Sequence, residues 1–221
     1  IDKSDFWEKH AAIKPYVVAD VDPHPTHETK QSISEFNNFL DSDLCIQCGA
    51  CHYSCPALEV NPEFFGPAAF AAAYRFTVDT RDNAGAERLE LTAQESQGVW
   101  DCVKCFECAE ACPKEINPIE KITKLHNLQF EQGIAESNVA TRHAEGFLRG
   151  IKKYGYLDEA DIVTYSEGYL GVYKHIGAAM KMMKSGKIHW HSGIPFIDSI
   201  PKIKNLDEVQ KLIEISQTNK L

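Results

Sequence analysis

The chain has 221 residues, 43% of them hydrophobic, with a net charge of −9. That length allows one or two domains with a sizeable core, and the acidic balance argues against a nucleic-acid partner, whose phosphates call for a basic face. No run of eighteen apolar residues occurs, so no segment of the sequence is expected to cross a membrane by itself.

Residues 1 to 18 open with an amphipathic stretch of Phe6, Trp7, His10 and Ile13, closed by Pro15. The polar sequence Asp22-Pro23-His24-Pro25-Thr26-His27 reads as a linker, and its histidines as loop residues rather than metal ligands. Asn61-Pro62 makes a turn, and Gly66-Pro67 opens a helix with proline at its first position. Ala68, Ala69, Ala71, Ala72 and Ala73 give that helix a small-residue surface; it is predicted to pass through Tyr74-Arg75-Phe76 and end near Asp82-Asn83, with Gly85 in the following loop.

Further on, Asn117-Pro118-Ile119-Glu120 reads as an N-cap, a first-turn proline and a capping-box glutamate. The helix so started presents Ile119, Ile122, Leu125 and Leu128. Another is predicted from Asn138 to Gly155, with Ala144, Phe147, Leu148 and Ile151 on one face. A short basic, methionine-containing helix covers residues 174 to 184, and a last one starts at Asn205 with Glu208 at the capping-box position, burying Leu206, Val209 and Leu212. No convincing period-two strand is found. The expected fold is mainly α.

All eight cysteines belong to two copies of one string: Cys45-x2-Cys48-x2-Cys51-x3-Cys55-Pro56 and, 57 residues on, Cys102-x2-Cys105-x2-Cys108-x3-Cys112-Pro113. This is the bacterial-ferredoxin spacing for two iron–sulfur clusters, in which the fourth cysteine of each run serves the other cluster. Cluster one is therefore assigned to Cys45, Cys48, Cys51 and Cys112, and cluster two to Cys102, Cys105, Cys108 and Cys55. Disulfide frameworks belong mainly to short secreted chains. Structural zinc takes cysteines as separated pairs and leaves the third of each run without a task. Eight thiols match two 4Fe–4S clusters.

Other features have a functional and, for most, a plain reading. Pro56 and Pro113 either turn the chain away from a cluster or stop a helix, and Gly49 gives backbone close approach. Trp100 is an electron exit or, more simply, a core aromatic. Arg75 and Arg81 pair with a partner's carboxylates or form a surface salt bridge. The Met180–Lys187 segment meets anionic lipid, a membrane partner, or solvent. His189-Trp190-His191 is assigned no role.

Residues 1 to about 133 resemble the iron–sulfur subunit of succinate dehydrogenase and fumarate reductase. The resemblance is carried by Ile13-Lys14-Pro15-Tyr16, both cysteine runs, Asn61-Pro62, Phe65-Gly66-Pro67-Ala68, Tyr74-Arg75-Phe76, Asp79-Thr80-Arg81-Asp82, Cys112-Pro113-Lys114 and Asn117-Pro118. It implies an electron-transfer subunit with no substrate-converting site of its own, relaying electrons between an FAD flavoprotein and a quinone-linked membrane partner. The second cluster of that family is usually 3Fe–4S, with another residue where this chain has Cys105; 3Fe–4S is the alternative for cluster two. Val60 and Val103 stand where the family places quinone-pocket residues, so the resemblance does not extend to a quinone site. From Arg142-His143-Ala144-Glu145-Gly146-Phe147 onward, with Lys153-Tyr154-Gly155 and Met180 to Lys187, the chain is similar to the C subunit of heterodisulfide reductases. That implies a cysteine-rich, heterodisulfide-reductase-like membrane partner.

On this reading residues 1–40 are a linker following a 2Fe–2S domain removed or carried on another chain, the start at Ile1 pointing to a missing upstream region. Residues 41–133 are an α-helical ferredoxin-like domain with two 4Fe–4S clusters, and 134–221 a helical extension for partner docking. The 2Fe–2S centre and FAD are expected elsewhere in the complex, which is placed peripherally on the cytoplasmic membrane, at its cytoplasmic face. The alternative is the C subunit of a heterodisulfide-reductase-like or related dehydrogenase complex.

Overall fold

A computed structural model describes residues 2–19, 26, 28–135, 137–186 and 202–218. Regular structure among them is helical throughout: α1 (Ser4–Ala12), α2 (Ile33–Asn37), α3 (Ala50–Tyr53), α4 (Pro56–Val60), α5 (Pro67–Thr77), α6 (Gly85–Thr92), α7 (Glu107–Glu110), α8 (Pro118–Glu131), α9 (Val139–Tyr154), α10 (Glu159–Lys184) and α11 (Leu206–Thr218). Short 3₁₀ turns at Ser42–Leu44 and Val99–Asp101 lead into the two cysteine runs. The chain divides into two units, Ile1–Glu136 and Ser137–Leu221. His24, His27, Lys187 and His189-Trp190-His191 lie outside the described residues.

In the first unit α5 is the central element, because its alanines let neighbours close in. Ala68, Ala69, Ala71 and Ala73 are buried, and α1, α6 and α8 pack against it. Phe6, Phe64, Phe70, Leu89, Ile122 and Leu125 fill the spaces between these helices; each such side chain contributes about 1.5–3 kcal/mol of transfer free energy. Phe6 and Ile13 are fully buried in this core, so part of the predicted linker is structural.

Two buried ion clusters fix the loops around α5. Asp79 accepts from Arg75 Nη1 at 2.7 Å, Arg81 Nη2 at 2.7 Å and the Arg81 backbone N–H at 3.1 Å. The chain turns after Thr77 to make these bonds, so α5 stops several residues short of the predicted Asp82-Asn83. Arg88, 1% exposed, is gripped by both Asp82 oxygens at 2.7 and 3.0 Å and donates to the carbonyls of Ile13, Lys14 and Tyr16. Gly85 starts α6 instead of lying in a loop: a Cβ there would stand 3.0 Å from the Thr77 carbonyl, so glycine permits the close approach.

The α8 face is as predicted, with Ile119, Ile122 and Leu125 buried and Leu128 packed beside them. Its start is not. Asn117 has φ +50 and makes no side-chain cap, since a capping residue needs extended backbone to aim its side chain at the first turn. Glu120 instead pairs with Lys124 at 2.8 Å. Pro56 also departs from expectation as a helix stop: it opens α4 at the first position.

In the second unit Asn138 caps α9 in a reciprocal pair with Thr141, and left-handed Gly155 ends it, as predicted. The predicted apolar face is displaced, with Phe147 and Leu148 exposed and Thr141, Gly146 and Gly150 buried. A Cβ on Gly146 would lie in ordinary contact, 3.5 Å from the Ile162 backbone, so a small-residue face and not the predicted apolar one meets α10. The predicted helix at 174–184 is the end of the longer α10, which breaks at Gly168 (φ 72, ψ 178). In α11 Leu206 and Val209 are half-buried, but Leu212 is exposed and Ile213 takes its place.

Candidate functional site

The two cysteine runs fold into the same backbone although the residues between the cysteines differ. Each leaves a 3₁₀ turn with an extended cysteine, Cys45 at φ −64, ψ 119 and Cys102 at φ −69, ψ 119. Two residues on the chain is left-handed, at Gln47 (φ 53) and Lys104 (φ 52), and again two further on, at Gly49 (φ 82) and Phe106 (φ 69). A four-residue helix follows in each, α3 and α7, and these lie against one another. Burial repeats as well: Cys48 and Cys105 are exposed, Cys51 and Cys108 buried, and the other four half-buried.

The pairing of α3 with α7 mixes the runs at two recesses. One, about 320 Å³, is lined by Cys45, Cys48 and Cys51 with Cys112 of the second run. The other, about 310 Å³, is lined by Cys102, Cys105 and Cys108 with Cys55 of the first. Their walls are otherwise largely apolar, with Ala68 and Ile116 at the first and Phe64, Ile119 and Ile122 at the second. None of the eight thiols is in a disulfide, and among the described residues no three His, Cys, Asp or Glu converge closely enough to hold a single ion. Each hollow is thus lined by four thiols, a donor set that fits an iron–sulfur cluster.

Burial disfavours the free thiolate at four of the eight cysteines. Burial, with the neighbouring cysteines adding to it, pushes Cys51 and Cys108 up to about 12. Burial also raises Cys45 and Cys102, opposed in each by a hydrogen bond from the backbone N–H two residues on, of Gln47 and of Lys104. The left-handed turns at those residues aim these donors at sulfur. Metal binding there must release protons, the cation charge replacing the proton that burial holds on the thiol.

Side chains around the recesses are tied down. His52, next to Cys51, is buried with Nε2 2.9 Å from Asp5 on α1. Beside the second recess Trp100 stacks on His126 with ring centroids 4.3 Å apart, and its indole N–H donates to Gln129 Oε1 at 2.7 Å. His126 donates from Nε2 to the Val99 carbonyl, and burial lowers its pKa to about 4, which keeps it neutral. Trp100 is thus a packed aromatic. Arg75 and Arg81 are engaged within the chain, with Asp43 and Asp79. Val60 and Val103 are exposed. Sequence reasoning missed the Gln47 and Lys104 amide donors and the Trp100–His126–Gln129 group; the matched offsets of Gln47 and Lys104 within the duplicated string were the signal for the former.

The family profile described as a 4Fe-4S dicluster domain matches residues 41–116. Similar proteins include fumarate reductase iron-sulfur subunits of Haemophilus influenzae, 38% identical over 135 residues (56% of this chain and 52% of the relative), and of Mycobacterium tuberculosis, 36% identical over 125 residues (56% and 50%). The succinate dehydrogenase iron-sulfur subunit of Paracoccus denitrificans is 30% identical over 132 residues (59% and 50%). The chain spans about half the length of the curated relatives it matches. The dicluster profile and the eight cysteines together support iron–sulfur clusters in this chain.

Proposed function

We propose that the chain is the electron-transfer iron–sulfur subunit of a succinate dehydrogenase or fumarate reductase complex, with a 4Fe–4S cluster in each recess. Cys45, Cys48, Cys51 and Cys112 would hold cluster one, and Cys102, Cys105, Cys108 and Cys55 cluster two. The observation that carries the reading is the crossed lining of the two recesses, three thiols from one run and the fourth from the other. The names of the similar proteins supply the complex. Cys105, which completes the set of four thiols at the second recess, favours four iron atoms over three.

When bound, the clusters supply one-electron redox centres. The chain's own groups set their surroundings. The Gln47 and Lys104 amides donate to sulfur and favour the more negative, reduced state, while the apolar walls limit water and disfavour added charge. The packing of α3 against α7 supports this role, since clusters held by the two runs would lie near one another. Partners are an FAD flavoprotein on one side and a quinone-linked, membrane-associated subunit on the other, the latter cysteine-rich and heterodisulfide-reductase-like. Binding of quinone by this chain is not part of the reading, and the complex is peripheral at the cytoplasmic face of the membrane.

Anaerobic purification followed by iron, sulfide and zinc analysis tests the cofactors: about eight irons and eight sulfides per chain are expected. Zinc or disulfides at these cysteines would overturn the assignment. Succinate-dependent dye reduction by the co-purified complex tests the role, and reduction supported by a thiol substrate but not succinate would move the chain to a heterodisulfide-reductase-like complex.

A further inference from the structure

The surface of α10 beyond its break at Gly168 is unlike the rest of the chain. Tyr169, Leu170 and Tyr173 are 85%, 84% and 74% exposed, and Ile176 and Met180 are also exposed. At about 100° per residue, Tyr169, Tyr173, Ile176 and Met180 form one stripe, which Leu170 widens to roughly 120° of the circumference. Lys174 and Lys181 lie just past the edge of that arc, and Lys184 within it one turn beyond Met180. Residues 169–184 contain three lysines and no aspartate or glutamate, in a chain whose net charge is −9. His175 is already paired with Glu167 at 3.0 Å, but among the described residues no carboxylate pairs with Lys174, Lys181 or Lys184.

We propose that residues 169–184 form an interfacial helix that lies on an anionic lipid surface, its tyrosine–isoleucine–methionine face in the headgroup boundary and its lysines on acidic headgroups. Three features select this occupant. No helix among the described residues is long and apolar enough to cross a membrane, and three charges within sixteen residues suit one that lies flat. A second copy of the same face would bring lysines against lysines beside the seam, which disfavours self-pairing. The apolar arc is wider than the narrow seam of a helix pair and carries tyrosines, whose rings suit the level of the headgroups. The left-handed backbone at Gly168 ends the first helical segment and gives the second its own direction.

The proposal stands apart from the cluster assignment, since vesicle binding needs no electron transfer. It is tested by sedimenting the full, cluster-loaded chain with phosphatidylcholine vesicles and with vesicles of equal parts phosphatidylcholine and phosphatidylserine. Binding to the anionic vesicles is expected, weakened by salt. The triple variant Lys174→Gln/Lys181→Gln/Lys184→Gln should bind on the order of 100-fold more weakly, at about fivefold per lysine. Tyr173→Gln/Ile176→Gln should lose binding with unchanged helical content, because both side chains are exposed. Three results would overturn the proposal: a parent chain that stays in the supernatant with both vesicles, a double variant that binds like the parent, or a parent dimer that the double variant dissolves without any lipid binding by either.

Discussion

Replacing Arg88 by methionine is the severest single test of how the first unit holds its N-terminal segment. Arg88 makes five hydrogen bonds, two to Asp82 and three to the carbonyls of Ile13, Lys14 and Tyr16. Methionine keeps the stem and removes them all, leaving a carboxylate with 0% side-chain exposure held only by the N–H groups of Val18 and Ala84. Summing five charged hydrogen bonds would give well over 7 kcal/mol, but relaxation and water entry reduce this; breaking a buried pair costs about 3–5 kcal/mol. With a urea dependence of about 2 kcal/mol per molar, the unfolding midpoint read by far-UV circular dichroism should fall by roughly 2 M. Arg88→Met/Asp82→Asn should recover about 1 kcal/mol of that loss, because the stranded charge is gone while the one amide oxygen still accepts from either Val18 or Ala84. A single-variant shift below about 0.5 M, or a double variant no better than the single, would refute the account.

Burial opposes ionisation of Asp79, but the hydrogen bonds of Arg81 and the charges of Arg81 and Arg75 outweigh it and hold the carboxyl at about 2, below its ordinary 3.8. The folded value lies below the unfolded one, so this contribution, about 2 kcal/mol, is present above pH 4 and lost as pH falls through the folded value. Acid titration of stability should show the loss, and Asp79→Asn should flatten it. Gly49→Ala should cost about 1–2 kcal/mol, since φ is +82 and the new Cβ would lie 3.2 Å from Tyr53; Phe106→Gly, at the matching position of the second run, should cost far less because the exposed ring strains the same turn, and thermal melts of the two compare them directly. Cys105→Ser should lower iron from about eight to about seven per chain and give a three-iron EPR signal in the oxidised state, confined to cluster two.

Helices whose apolar residues recur at helical spacing were legible in the sequence: α1, α5 and the face of α8 follow directly from Phe6 and Ile13, the Pro67 start, and Ile119, Ile122 and Leu125. Ligand spacing was legible too, because chemistry fixes the intervals between cysteines. What escaped was contact made by absence. Gly146 and Gly150 are buried on α9 with no apolar signal, and Gly85 starts a helix where a Cβ would stand only 3.0 Å from the Thr77 carbonyl. Backbone handedness at non-glycine residues also escaped: Asn117 has the composition of a cap but not its conformation, and Phe106 adopts a turn that glycine makes in the first run.

The crossed lining of the two recesses has a consequence for synthesis on the ribosome. A recess bounded by residues 45–51 and 112 has no fourth wall until position 112 has emerged, 61 residues after Cys51. At about 5–20 residues per second, the first run's thiols wait roughly 3–12 s in the open. Cys55, by contrast, is already outside when Cys108 appears, so the later run has its four thiols four residues before the earlier one. The nascent chain therefore gains its two sets of four thiols almost together and in reverse order of sequence, and a product truncated before Cys112 would leave Cys45, Cys48 and Cys51 without their fourth partner and open to oxidation.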